Sequence, residues 1–214
     1  MPTSATDWAI RVPASSANIG AGFDVLGMGL TLHAHIGVGE APVGARRADE
    51  HHPAAVAFAQ AGGDGTLWVR SPIPMGRGLG FSGAVRVGGA AAAVVQRHGR
   101  AGLDDPELVA QVLAVAGDLE GHLDNAAASL VGGVVVAVDQ QVVSVPLAFD
   151  PAVVVWVPGA NTTSTDKSRA SLEGTVRRSD AVFNLGGVAA FVAACARGES
   201  GLLQMATADR LHQP

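Results

Sequence analysis

Glycine at every second position is the feature that most restricts what this 214-residue chain can fold into. Gly76, Gly78 and Gly80 fall within the stretch 74–84, and the alanine- and valine-rich run that follows predicts a helix over 82–97. Glycine adopts positive φ readily and lets a ligand approach the backbone. A loop of this kind that runs into a helix N-terminus directs several backbone N–H groups toward one point, which suits a phosphate group. A structural turn between a strand and a helix is the alternative, because glycine patterns also recur by chance.

The composition is typical of a globular protein and argues against two classes of binding partner, nucleic acids and membranes. Hydrophobic residues make up 48% of the sequence and charged residues 15%, which supports a large core. A formal net charge of −5 argues against general nucleic-acid binding. No apolar run reaches the roughly 18 residues of a membrane span, and the N-terminus lacks the pattern of a signal peptide. We therefore expect a cytoplasmic protein with no membrane partner, and the single cysteine, Cys195, excludes internal disulfides and a cysteine metal cluster.

Residue patterns predict a mixture of strands and helices. The predicted strands are 8–12, 25–39, 66–70, 134–138, 142–146 and 153–157, and the predicted helices are 54–61, 82–97, 105–117, 179–196 and 199–211. Asp104, Asp105 and Pro106 supply a cap and a first-turn proline for the third of these helices. The pattern fits either an α+β or an α/β fold. A domain boundary is predicted near residue 150.

Three polar stretches supply candidate functional residues. They are 13–24, which ends at Asp24; 118–125, which contains Glu120, His122, Asp124 and Asn125; and a third stretch with Thr165 and Arg169. Taken singly, such residues are more often helix caps or surface charges. Together with a phosphate-binding loop they match the needs of a small-molecule kinase, namely a carboxylate and a hydroxyl for Mg²⁺ and charges for a zwitterionic substrate. The loop has no Gly-Lys-Ser/Thr, so it is not of the Walker type.

These motifs resemble those of the GHMP kinases, and of the homoserine kinase family within them. The stretch 74–84 is similar to the central glycine motif Pro-x-x-x-Gly-Leu-Gly-Ser-Ser-Ala, and 13–24 is similar to the first motif of homoserine kinases. The segments that also match are 120–125, 165–169, 180–184 and 209–214. The resemblance covers essentially the whole chain. It implies an α+β fold of two domains, an N-terminal ATP-binding domain over 1–150 and an incomplete ferredoxin-like domain over 151–214.

The resemblance implies a kinase that transfers the γ-phosphoryl group of MgATP to the hydroxyl of L-homoserine, in threonine biosynthesis. The residues that would hold the ATP phosphates are Pro74, Gly76, Arg77, Gly78, Leu79, Gly80, Phe81, Ser82 and Gly83. Ser82 and Glu120 would bind Mg²⁺, and with Asn125 they would form the catalytic set. Positioning and charge neutralisation would supply most of the rate enhancement, as is usual for phosphoryl transfer.

The resemblance also implies a substrate site. Asp24 would pair with the substrate ammonium group, with Asn18 beside it, and Arg169 would bind the substrate carboxylate in a bidentate way. His122 and Asn125 would line the pocket near the substrate hydroxyl. No basic residues surround Asp24, which favours an amino acid over the other small alcohols that GHMP kinases phosphorylate. Family members are commonly dimers, so a homodimer is expected on the same ground.

Departures from the family pattern leave an alternative to the enzyme. Phe81 replaces the first serine of the glycine motif, Gly83 replaces an alanine, and Gly187 replaces an arginine. Family members also run on past the His-Gln-Pro motif, so we expect either a fragment or a member that lacks part of its site. A non-catalytic nucleotide-binding relative is the alternative. With the second domain incomplete, apolar residues of 181–195 are expected to be exposed and to promote self-association.

Overall fold

A long central strand organises the sheet of this molecule. The computed structural model describes residues 8–156 and 174–213. β2 (Leu26–Val38) pairs along one edge with β1 (Ile10–Ala17). Its other edge pairs with β4 (Leu67–Arg70) at one end and with β5 (Val134–Val138) at the other. Two further strands, β3 (Arg46–Arg47) beside β4 and β6 (Gln141–Val145) beside β5, complete the sheet, in which every one of these pairings is antiparallel.

Helices cover both faces of this sheet. The helices on the first face are α1 (Pro53–Gln60), α2 (Phe81–His98), α3 (Pro106–Glu120) and α4 (Asp124–Val131). The helices on the second face are α5 (Arg178–Arg197) and α6 (Leu203–Ala206). Side chains of β5 alternate between the two faces, as a strand requires. Val135 belongs to the larger core with α1 to α4, whereas Val134 belongs to a smaller core with Phe191 and Cys195 of α5. An antiparallel sheet packed between helices is the predicted α+β arrangement.

Capping residues explain where two of the helices begin. Asp105 accepts a hydrogen bond from the backbone N–H of Glu107 at 2.9 Å, and Pro106 occupies the first turn of α3, as the sequence predicts. His52 caps α1 in the same way, because its Nδ1 accepts from the backbone N–H of Ala54 at 3.1 Å. Burial lowers the pKa of His52, which favours the neutral ring that this bond requires.

Two predictions about the C-terminal part are wrong within the described residues. Residues 151–156 form no strand, and Val154 and Trp156 are 94% and 83% exposed, with no described strand beside them to pair. The helix predicted over 199–211 ends at Ala206, after which the chain makes a turn. The domain boundary near residue 150 and the ferredoxin-like form of the second domain stay predictions.

Helix α5 carries an exposed apolar face. Val182 and Leu185 are 60% and 69% exposed, so apolar residues of this segment do lie at the surface, as the sequence analysis expects. Of the helices in the described residues, α5 is the one that is long and apolar enough to cross a membrane, with 28% of its apolar window buried. Length and composition are weak support for a span, because core helices of soluble proteins meet the same criterion.

Candidate functional site

The glycine loop connects β4 to α2, and its alternating glycines all adopt the left-handed backbone conformation. Gly76, Gly78 and Gly80 have φ values of 64°, 71° and 63°. Gly80 is the N-cap residue of α2, and no side chain caps that helix. The first N–H groups of α2 are therefore left for a ligand, at the positive end of the helix dipole. This is the loop-to-helix arrangement that the sequence predicts.

A cleft of about 330 Å³ opens in front of this helix N-terminus. The residues that line it are Ala17, Asn18, Pro74, Gly76, Arg77, Gly78, Leu79, Gly80, Phe81, Ser82, Glu120, His122, Asp124 and Asn125. The structure thus brings the glycine loop together with the polar stretch 118–125. Gly83, a predicted phosphate-binding residue, is buried beneath the cleft, where an added Cβ would lie 3.2 Å from the Cβ of Asn125.

Strand β1 holds the glycine loop in place. The backbone N–H of Ser15 donates to the carbonyl of Leu79 at 3.2 Å, and its hydroxyl donates to Asn125 Oδ1 at 2.8 Å. Ser129 donates to the same hydroxyl at 3.3 Å. A Cβ on Gly80 would collide with Ser15 Oγ, so this position requires glycine for space as well as for its φ. Nothing local in the sequence separates the buried Ser15 and Ser129 from surface serines, so neither is predicted as a site residue.

An imidazole joins two carboxylates on the wall opposite the loop. His122 Nδ1 lies 2.7 Å from Asp124 Oδ1, and His122 Nε2 lies 3.8 Å from Glu120 Oε2. The Asp124 carboxylate also accepts the backbone N–H of Asn125 at 2.7 Å. Gly121, with φ 74°, ends α3 and turns the chain between these groups. The side chains of His122 and Asp124 are 8% and 1% exposed, so water screens their interaction weakly.

A guanidinium group lies between the two predicted Mg²⁺ ligands. Arg86 Nη1 donates to Ser82 Oγ at 2.6 Å and forms an ion pair with Glu120 Oε1. Burial lowers the pKa of Arg86, but a guanidinium remains charged at neutral pH. Ser82 Oγ and Glu120 Oε1 are therefore already bound by a cation. In the described part of the chain, no group of three or more His, Cys, Asp or Glu residues could hold a metal ion.

The predicted substrate residues are divided between two neighbouring cavities. Asn18 lines the cleft, and its Oδ1 accepts the backbone N–H of Asp24 at 3.0 Å. Asp24, with φ 58°, lines a second cavity of about 440 Å³ together with Gln140. His122 lines both cavities and so links them. Arg169 lies outside the described residues.

A turn built on the buried side chain of Asp209 fastens the C-terminal part to the first polar stretch. Asn184 of α5 donates to the carbonyl of Ala21 at 3.0 Å and to Asp209 Oδ1 at 2.6 Å. Asp209 Oδ2 accepts three backbone N–H groups, those of Leu211, His212 and Gln213. Burial alone would raise the pKa of Asp209, but the hydrogen bonds from Asn184 and the backbone outweigh it and hold that pKa below its usual value. The segments 180–184 and 209–214 thus meet in one structural contact.

Comparison with known proteins relates this site to a kinase family. Residues 49–133, which include the glycine loop and α2, match the family model for the GHMP kinases N terminal domain. A homoserine kinase of Symbiobacterium thermophilum is 36% identical, and the match covers 96% of this chain and 71% of that protein. A homoserine kinase of Rhodococcus opacus is 38% identical, with 95% of this chain and 74% of that protein covered.

Solved structures agree with the sequence relatives. The homoserine kinase of Cytophaga hutchinsonii aligns with a TM-score of 0.73 at 21% identity, covering 100% of this chain and 76% of that one, and so shows the same fold. A putative homoserine kinase of Listeria monocytogenes aligns with a TM-score of 0.71 at 26% identity, covering 92% and 72% of the two chains. Identities of 36–38% over more than two thirds of the relatives' lengths establish the relationship. The chain belongs to the homoserine kinase family of the GHMP kinases.

Proposed function

We propose that this chain binds ATP in the cleft and transfers its γ-phosphoryl group to the hydroxyl of L-homoserine. One observation carries the proposal: the glycine loop at the N-terminus of α2 shares a single cleft with Glu120, His122 and Asn125. Uncapped N–H groups at a helix N-terminus attract phosphate. The relatives are named homoserine kinases, which supplies the acceptor.

In the proposed reaction the hydroxyl oxygen of homoserine bonds to the γ-phosphorus while the bond from that phosphorus to the bridging oxygen breaks. The products are ADP, O-phosphohomoserine and a proton released to solvent. The amides that follow Gly80 would hold the phosphates, and Asn125 with His122 would orient the acceptor hydroxyl. The ammonium group would lie toward Asp24 and Asn18, and Arg169 would bind the carboxylate. His122 is well suited to a positioning role, because Asp124 and Glu120 flank its two ring nitrogens.

Membership of this family also implies Mg²⁺ bound by Ser82 and Glu120. The residues as placed do not fit a metal ion there, because Arg86 binds both side chains. No step of the proposed reaction depends on a metal held by these residues. A cytoplasmic location and a homodimer complete the proposal; the single cysteine of the chain supports the first and the resemblance supports the second.

The test is ADP formation from MgATP by the purified 214-residue chain, with and without L-homoserine. We expect homoserine-dependent turnover that His122→Gln reduces at least tenfold, because His122 would orient the acceptor hydroxyl. Glu107→Gln, an exposed change on the helix that precedes His122, is the matched control and should retain activity. Turnover with another small alcohol but not with homoserine would reassign the acceptor. Nucleotide binding without turnover on any acceptor would contradict the proposal and favour the non-catalytic relative, for which Phe81 in the cleft wall is the supporting observation.

A further inference from the structure

Arg86 occupies a position that the proposed reaction does not use. It lies one helical turn after Ser82 on α2, so its side chain can return along the helix surface toward the glycine loop. Its Nη1 lies 2.6 Å from Ser82 Oγ and contacts the Glu120 carboxylate at the end of α3. Ser82 and Glu120 both line the cleft, and the guanidinium connects them from behind.

The surroundings make this pair hard to open. The Arg86 side chain is 21% exposed and that of Glu120 is 8% exposed, so both charges lie largely out of water. A carboxylate at this burial needs a positive partner, because a buried charge without one is costly. Arg86 provides that partner permanently, since a guanidinium does not lose its proton in proteins.

A divalent cation would compete directly with this arginine. Mg²⁺ binds carboxylate and hydroxyl oxygens in a near-octahedral shell and gives up its water reluctantly. Here Ser82 Oγ already accepts a hydrogen bond from Arg86, and Glu120 Oε1 already forms an ion pair with it. The fixed positive charge would also repel an incoming Mg²⁺, with little water between them to screen it.

We propose that Arg86 is the resident cation of this site and takes the place of a divalent cation held by Ser82 and Glu120. The phosphates of a nucleoside di- or triphosphate would then meet a wall whose carboxylate is neutralised by the protein. Their affinity for the cleft would not require a metal bound to the protein. The nucleotide part rests on the proposed function, whereas the exclusion of a metal from the apo protein does not.

The first experiment measures Mn²⁺ binding without nucleotide, by electron paramagnetic resonance of the free ion. We expect no binding by the unchanged chain below millimolar Mn²⁺. Arg86→Met should gain a site at least tenfold tighter, and Arg86→Met with Glu120→Gln should lose it again. Arg97→Met, on the exposed end of the same helix, is the matched control and should behave as the unchanged chain does. Micromolar Mn²⁺ binding by the unchanged chain, abolished by Glu120→Gln, would overturn the proposal even if Arg86→Met does not fold.

The second experiment measures ADP binding by calorimetry with excess EDTA and with Mg²⁺. The unchanged chain should bind ADP with dissociation constants within about threefold of each other in the two conditions. Arg86→Met should bind at least tenfold more weakly in EDTA than in Mg²⁺, and Arg86→Lys should restore the weak metal dependence. A tenfold loss in EDTA for the unchanged chain would refute a resident cation. No ADP binding in either condition would refute the proposed function, while the Mn²⁺ result would still decide whether Arg86 excludes a metal.

Discussion

Replacing Gly80 by alanine tests whether the loop is fixed by backbone conformation alone or also by its contacts. Gly80 has φ 63°, and an alanine held there costs about 1–2 kcal/mol of free energy of unfolding. The new Cβ would also collide with Ser15 Oγ and lie 2.9 Å from Asn125 Oδ1, so the hydrogen bond between those side chains must break or shift. That loss adds about 1 kcal/mol. The expected total for Gly80→Ala is therefore about 2–3 kcal/mol.

Gly78→Ala is the matched control for this substitution. Gly78 has φ 71°, but no atom lies within 4 Å of its added Cβ, so it should show the conformational cost alone, about 1–2 kcal/mol. Urea denaturation followed by circular dichroism gives both values, and each kcal/mol should lower the melting temperature by roughly 2–4 °C in a chain of this size. If Gly80→Ala destabilises the chain no more than Gly78→Ala does, the contact with Ser15 and Asn125 does not hold the loop.

Two further predictions concern the C-terminal part. Asp209→Asn should lower the free energy of unfolding by about 1–3 kcal/mol at pH 7, because hydrogen bonds to a buried carboxylate are lost. The pKa of Asp209 is lower in the folded chain than in the unfolded chain. The loss of stability in Asp209→Asn should therefore be constant at pH values above the unfolded pKa and shrink as the pH falls through the folded pKa. A loss as large at pH 3 as at pH 7 in urea denaturation would contradict this prediction, and Asp118→Asn is the exposed control. Self-association at tens of micromolar should weaken about tenfold in Leu185→Gln, since a buried leucine contributes about 1.5–3 kcal/mol. It should not change in Val43→Gln, the matched control, because Val43 is 99% exposed and lies outside α5. A monomeric sedimentation profile of the unchanged chain would refute this prediction.

Local signals predict the elements that build this site, and they do so for physical reasons. The glycines of the loop, the long apolar strand β2 and the capped start of α3 each depend on neighbours in sequence, and each is confirmed. The residue pattern predicts that the first strand ends at residue 12, whereas β1 continues to Ala17. Its small polar residues have weak strand propensity, and they are held extended by pairing with β2, the next strand of the chain.

Contacts between distant elements account for what sequence reasoning missed. Helical spacing places Arg86 beside Ser82, but its pairing with Glu120 depends on how α2 packs against the end of α3. The hydrogen bond between Ser15 and Asn125 likewise joins residues 110 positions apart. The roles of the individual site residues stay predictions, because they concern ligands and not the fold.

Charge pairing within the cleft wall explains how an acidic protein can present a phosphate site. Glu120 and Asp124 both line the cleft, and unpaired they would repel phosphate strongly at such low exposure. Arg86 pairs with the first, and the ring of His122 bonds the second. With the Glu120 carboxylate neutralised, the positive end of α2 acts on a ligand in front of the glycine loop against less negative charge. Arg86 would thus act on the nucleotide by cancelling a carboxylate, so its removal should weaken ADP binding in the absence of a metal and leave the loop conformation unchanged.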